Sequence, residues 1–270
     1  MSYIGKEPAK AALTASDIAD GIISEAKMAD DAISLAELKA GTDGEVISWD
    51  ASGNPVAIGA GTSGHFLKSQ GAGNVPVFAA AGGAWNLIKT LTSDGSDTTL
   101  DFVNGASDVV LDNTYKIYCF KFVNIHSQTN AATFNCNFSD DTSSHSYDLT
   151  KTSACFRSYM TEAGTAALNV HATGDHAQST SDQVLDPGSN ANDADGNSCG
   201  ELFLFNPSDT TYTKQYTSHF ITHGNGGDPI SMNYFIGGYV NTTAAVTAVR
   251  FLFSSGEIQG GTISLYGLST

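Results

Sequence analysis

The chain is 270 residues long, enough for one good-sized domain with appendages, and sets 28 Asp and Glu against 12 Lys and Arg for a formal net charge of −16. Such acidity repels phosphate backbones and anionic membranes, which argues against nucleic-acid binding through a basic patch, and it keeps a crowded, repetitive assembly soluble. The 28 glycines, with abundant Ser, Thr, Asn and Asp, fit many short strands joined by tight turns.

The opening MSYIGKEPAKAA lacks the apolar core of a signal peptide, and no apolar run approaches transmembrane length. Synthesis in a cytoplasm is expected, with release by lysis or within a particle. Pro8 and the Ala/Lys-rich lead-in read as an extended arm. Residues 18–27 (IADGIISEAK) and 28–37 (MADDAISLAE) repeat one another, with Ala19/Ala29, Asp20/Asp30, Ile23/Ile33, Ser24/Ser34 and Ala26/Ala36 in register. Ile18, Ile22, Ala26, Ala29, Ile33 and Ala36 fall near helical spacing, with Ser16 as an N-cap. Gly21 and the ten-residue period oppose a long helix. Residues 1–40 are therefore expected to form an attachment region of short helical or strand-like turns wound with partner chains.

A second repeat follows. Residues 41–60 (GTDGEVISWDASGNPVAIGA) and 61–80 (GTSGHFLKSQGAGNVPVFAA) align at Gly41/Gly61, Thr42/Thr62, Gly44/Gly64, Gly53/Gly73, Asn54/Asn74 and Ala60/Ala80. Each copy is a short apolar run, a Gly-Asn turn and a second run, which predicts strand, turn, strand. So few apolar side chains do not repay the ordering of the segment, so it needs its own kind alongside it or a surface to lie on. A flexible Gly/Ala/Ser linker is the plainer reading. Large residues recurring at matching places favour an ordered shaft over residues 41–83.

From residue 84 the texture becomes that of an all-β head. Candidate strands are 85–91, 99–103, 109–111, 115–125, 132–138, 145–150, 167–172, 200–206, 218–224, 232–240, 246–254 and 261–268. Turn-forming clusters between them predict a β-sandwich or jelly-roll-like domain over 84–270. The polar stretch 174–200 is expected to be a protruding surface loop, where binding functions often sit. Cys119, Cys136, Cys155 and Cys199 have neither disulfide nor metal spacing and are expected to be free thiols, Cys136 as a small apolar residue between Phe134 and Phe138.

The runs at 13–34, 41–78 and 246–268 resemble tail-fibre and related virion proteins of tailed bacteriophages, especially marine ones. The resemblance covers the first eighty residues and the closing strands. It implies a homotrimer whose N-terminal repeats attach to other virion proteins and build a shaft, and whose terminal β head touches a glycan or protein on the host surface. Compared with long tail fibres the shaft is short, which leaves a head fibre or capsid decoration protein, held by its N-terminal arm, as the alternative.

Chemical motifs were sought in the remaining residues. His171 with Asp175 and His176, or His219 with His223, would be imaginable metal ligands. The second pair lies in a strand-like run, where that spacing separates side chains. These and the remaining histidines, His65, His126 and His145, read as exposed strand-end or loop residues. Asn190, Asn192, Asp193, Asp195 and Asn197 around Gly196 have calcium-like oxygen density but fail the EF-hand template, since the first ligand position would be Ala191 and the final Glu is absent. Residues 224–229 (GNGGDP) lack the Lys-Ser/Thr of a phosphate loop and read as a hairpin turn. Asp140, Asp141 and Asp148 have the residue type of a glycan-cleaving pair and nothing more specific. Trp85, Tyr115, Tyr118, Tyr147, Tyr159, Tyr234, Tyr239 and Tyr266 are mostly core or interface residues, with Tyr212 and Tyr216 the expected exposed pair for stacking on sugars. No catalytic, metal or cofactor residues are assigned, and a polysaccharide depolymerase is the least favoured reading.

Overall fold

The computed structural model describes residues 14–24, 27–28, 40–80, 83–187, 191–224 and 229–269. The chain divides into two compact units, residues 1–81 and 82–270. Among the described residues it is all-β, every strand pairing is antiparallel, and no helix is long and apolar enough to cross a membrane.

In the first unit Ala15–Asp17 is a single 3-10 turn. The Thr14 N–H and hydroxyl both donate to Asp17 Oδ2 (2.8 and 2.7 Å), so Thr14 and Asp17 tie this turn and Ser16 is not its cap. Most of the 18–37 repeat lies outside the described residues.

Each longer repeat folds as a hairpin: β1 (Val46–Trp49) with β2 (Pro55–Ile58), and β3 (His65–Lys68) with β4 (Val77–Ala80). Equivalent glycines take equivalent conformations, Gly44 and Gly64 at φ +82° and +84°, Gly53 and Gly73 at +80°. A Cβ is disfavoured there, which is why both copies keep glycine. Asp50 closes the first turn by accepting from the N–H groups of Ser52 and Asn54, and the Ser69 hydroxyl accepts from Gly71 N–H in the second. Ile47, Trp49 (64% exposed), Phe66 (63%) and Leu67 remain open on these hairpins.

The second unit holds β5 (Trp85–Thr92), β6 (Thr99–Val103), β7 (Ile117–Ser127), β8 (Phe134–Ser139), β9 (Lys151–Thr161), β10 (Ala166–Val170), β11 (His176–Ser179), β12 (Gln183–Asp186), β13 (Asn197–Phe205), β14 (Lys214–Gly224), β15 (Ile230–Val240), β16 (Ala248–Phe253) and β17 (Ile258–Leu268). A nine-stranded sheet runs β10-β9-β15-β14-β13-β7-β17-β5, with β11 also on β9, and a four-stranded sheet runs β12-β8-β16-β6. Period-two alternation sends Tyr118, Phe120 and Phe122 of β7, Leu202 and Leu204 of β13, and Tyr216 and Phe220 of β14 into one core with Phe102, Phe134, Phe138 and Phe251 of the smaller sheet. Rings meet between the sheets in tilted and edge-on pairs: Phe122 lies 5.7 Å from Phe134 and 5.0 Å from Phe251, and Phe138 lies 5.5 Å from Tyr216.

Four expectations change. Residues 109–111 form no strand, because turn hydrogen bonds occupy the backbone: Val109 N–H donates to Ala106 O, and Leu111 N–H to Asn104 Oδ1. Residues 145–150 also form no strand; Tyr147 sits at φ +50° with its ring over the Arg250 guanidinium, 3.9 Å from the ring centre. The stretch 174–200 is not a protruding loop, since it contains β11, β12 and the start of β13, and Gln183, Leu185, Asp186 and Ser198 are fully buried. Its polar composition hides buried hydrogen bonding, such as Thr222 Oγ1 donating to Asp186 Oδ2 (2.9 Å). Strand β9 falls in no predicted segment. Residues 188–190 and 225–228 lie outside the described residues, although β14 and β15 on either side of the latter pair in register.

Candidate functional site

The outward face of the large sheet carries an unusual density of rings. Continuous antiparallel register aligns side chains across strands: Lys121 (β7) faces Glu201 (β13), Glu201 faces His219 (β14), His219 faces Phe235 (β15), Phe235 faces Phe156 (β9), and Phe156 faces Val170 (β10). The rings of this row stack, His219 on Phe235 at 4.2 Å and 9°, and Phe235 on Phe156 at 5.0 Å and 12°. The adjoining row is small where the first is bulky: Phe203 faces Thr217, Thr217 faces Gly237, and Gly237 faces Ala154.

Small residues beside a wall of rings make a groove. A cleft of about 350 Å³ lies here, lined by Phe156, Phe203, Phe235, His219, Glu201, Thr217 and Gly237. A second, of about 200 Å³, is lined by Trp85, Cys119, Lys121 and Tyr266 on the same face, and Trp85 lies 5.9 Å from Phe203 between them.

The polar groups are few. Lys121 Nζ forms an ion pair with Glu201 Oε2, and this hydrogen bond raises the lysine above its ordinary pKa. His219 Nε2 is buried and has no hydrogen-bond partner among the described residues. Burial pushes the Cys119 thiol up to about 12, so it serves as apolar wall and not as a nucleophile.

Other candidates are placed elsewhere. Tyr212 is 72% exposed, but Tyr216 is buried, its hydroxyl donating to Gln183 Oε1 (2.6 Å); the expected exposed pair is therefore not one, because Tyr216 occupies an inward position of β14. Tyr118 and Tyr234 are also core, while Trp85 and Tyr266 do reach the outer face. His171 lies edge-on to Tyr234, Asp175 accepts from Cys155 N–H, and His176 contacts Asp182 O, so this trio is not gathered on one point. His223 Nδ1 donates to Asp195 O. Asn192 is bound to Asn130 and Gln128, and Asn190 lies outside the described residues. Asp141 and Asp148 accept from Ser146 within their own loop, and Asp140 accepts from the distant Thr242. Among the described residues no group of three or more His, Cys, Asp or Glu is placed to hold a metal, and the four cysteines are free.

Sequence reasoning missed Phe156, Phe203, Phe235 and His219 as a group. One signal was present: residues 202–205 (LFLF) are apolar in both phases, where a half-buried strand alternates. No protein-family model, curated protein or solved structure matches this chain.

Proposed function

We propose that this chain is a bacteriophage virion protein, a tail-fibre-like adhesin whose β-sandwich head binds a saccharide of the host cell surface along the outer face of its large sheet. The observation that supports this most is the ring-walled groove with polar groups at its margin. Sugar rings present apolar C–H faces that lie on aromatic rings, and hydroxyls that bond to groups such as Glu201, Lys121 and Thr217. The net charge of −16 disfavours polyanionic glycans, so the ligand class is a neutral saccharide. Glycoside cleavage uses two carboxylates, whereas Glu201 is the one carboxylate lining the groove among the described residues and is paired with Lys121, which favours binding over hydrolysis. The exposed Trp49 and Phe66 of the hairpins support a homotrimeric shaft that attaches to other virion proteins.

Gly237 allows a direct test. A Cβ there meets nothing within 4 Å and the backbone is unstrained, so Gly237→Leu fills the groove without disturbing the fold. On an array of bacterial surface glycans the natural chain is expected to bind a neutral saccharide, and Gly237→Leu to lose about tenfold, the upper end for one lost stacking contact. Equal binding by both proteins, or none by the natural chain, contradicts the assignment; self-association abolished by Gly237→Leu would instead make the groove a subunit contact.

A further inference from the structure

The two sheets approach at a point that brings an amine, an amide and a carboxylate together. Lys151 opens β9 in the large sheet and is 0% exposed; Asn137, in β8 of the small sheet, is also buried. Lys151 Nζ donates to Asn137 Oδ1 at 2.6 Å and to Leu149 O at 2.7 Å, which holds the amine beside the amide group. The amide nitrogen of Asn137 donates to Asp182 Oδ1 at 2.8 Å. Phe138 N–H donates to the same Asn137 Oδ1 at 2.9 Å, where negative charge develops if the carbon is attacked.

We propose that Lys151 and Asn137 join spontaneously in an intramolecular isopeptide bond that staples the two sheets, with Asp182 carrying the proton. The neutral Nζ of Lys151 attacks Cγ of Asn137, and the carbonyl electron pair moves onto Oδ1 against the Phe138 N–H. Asp182 takes one proton from Nζ and delivers it to Nδ2. The Cγ–Nδ2 bond breaks, ammonia departs, and the carbonyl re-forms as a secondary amide. Atoms and charge balance with no oxidant or cofactor. Burial lowers the lysine to about 8, which supplies the unprotonated amine near neutral pH. Lys214 shows what the site adds: also 0% exposed, it donates to the main-chain carbonyls of Tyr212 and Thr242, and among the described residues it bonds to no side-chain amide. The inference is independent of the glycan reading.

The test is mass spectrometry of the denatured full chain. The natural protein is expected to be lighter than its sequence by one ammonia, and its digest to contain a branched peptide joining residues 137 and 151. A succinimide at Asn104–Gly105 would give the same intact mass, so the branched peptide decides. Lys151→Met is expected to show neither signature. Asp182→Asn keeps the side-chain shape and is expected to fold, by circular dichroism, without forming the branch. A folded natural chain that lacks the branched peptide after prolonged incubation at pH 8 overturns the proposal; a branch formed by Asp182→Asn at the natural rate overturns the role of Asp182.

Discussion

Phe122 shows how single side chains hold the head together. Its ring contacts Phe134 and Phe251 from the small sheet and Phe220 from the large one, so truncation opens a cavity that neither sheet can close alone. Phe122→Ala is expected to cost about 3–5 kcal/mol in urea unfolding, with Phe122→Leu costing less. Buried acids set the pH response. Burial pushes Cys119 and Tyr118 up to about 12 and Cys155 up to about 11, from ordinary values of 9.0 for thiols and 10.0 for phenols. Above pH 9 the unfolded chain releases these protons while the folded chain keeps them, so the stability they contribute is full below pH 9 and is lost toward pH 11–12. Lys151, lowered to about 8 from 10.5, has the opposite slope while it remains an amine, but it is one group against several. The urea midpoint is therefore expected to fall above pH 9; a rise between pH 9 and 11 would contradict this ledger of protons.

Strand β17 depends on a missing side chain. A Cβ on Gly267 would lie 2.2–2.6 Å from the Tyr115 ring, so Gly267→Ala must displace that ring and is expected to cost about 1–3 kcal/mol. The amide between Lys151 and Asn137 acts at the same scale. By the loop-entropy argument made for disulfides, a link across a loop of about 15 residues contributes about 3 kcal/mol, so Asp182→Asn should unfold at lower urea than the natural chain. How well an element could be read from sequence followed from how its burial is satisfied. Strands β13, β15 and β16 bury apolar residues at alternate positions and were legible. Strand β9 turns Lys151, Ser153 and Cys155 inward, and two of these are held by hydrogen bonds, Lys151 to Asn137 and Ser153 to Gly174 O, so no apolar alternation marked it. The hairpins were legible because Gly53 and Gly73 announce their turns.

At the scale of the whole molecule, function depends on surfaces that one chain leaves open. Of the groove, Trp85 and Tyr266 at its far end were singled out beforehand as aromatics, His219 only as a candidate metal ligand and Cys119 only as a free thiol. Phe156, Phe203, Phe235 and His219 come from four strands, and pairing register, which sequence does not carry, puts them side by side. Trp49 and Phe66 make the matching point for the shaft: light scattering on the purified chain is expected to return a trimer, and a stable monomer would contradict the shaft reading. The central claim is that this chain stands on a virion and meets the host. Its most direct test is immunogold electron microscopy of intact phage particles with antibody against residues 85–270. Label at the tail tip or tail side is the expected result. Label confined to the capsid, or absent from every particle, would contradict the adhesin account.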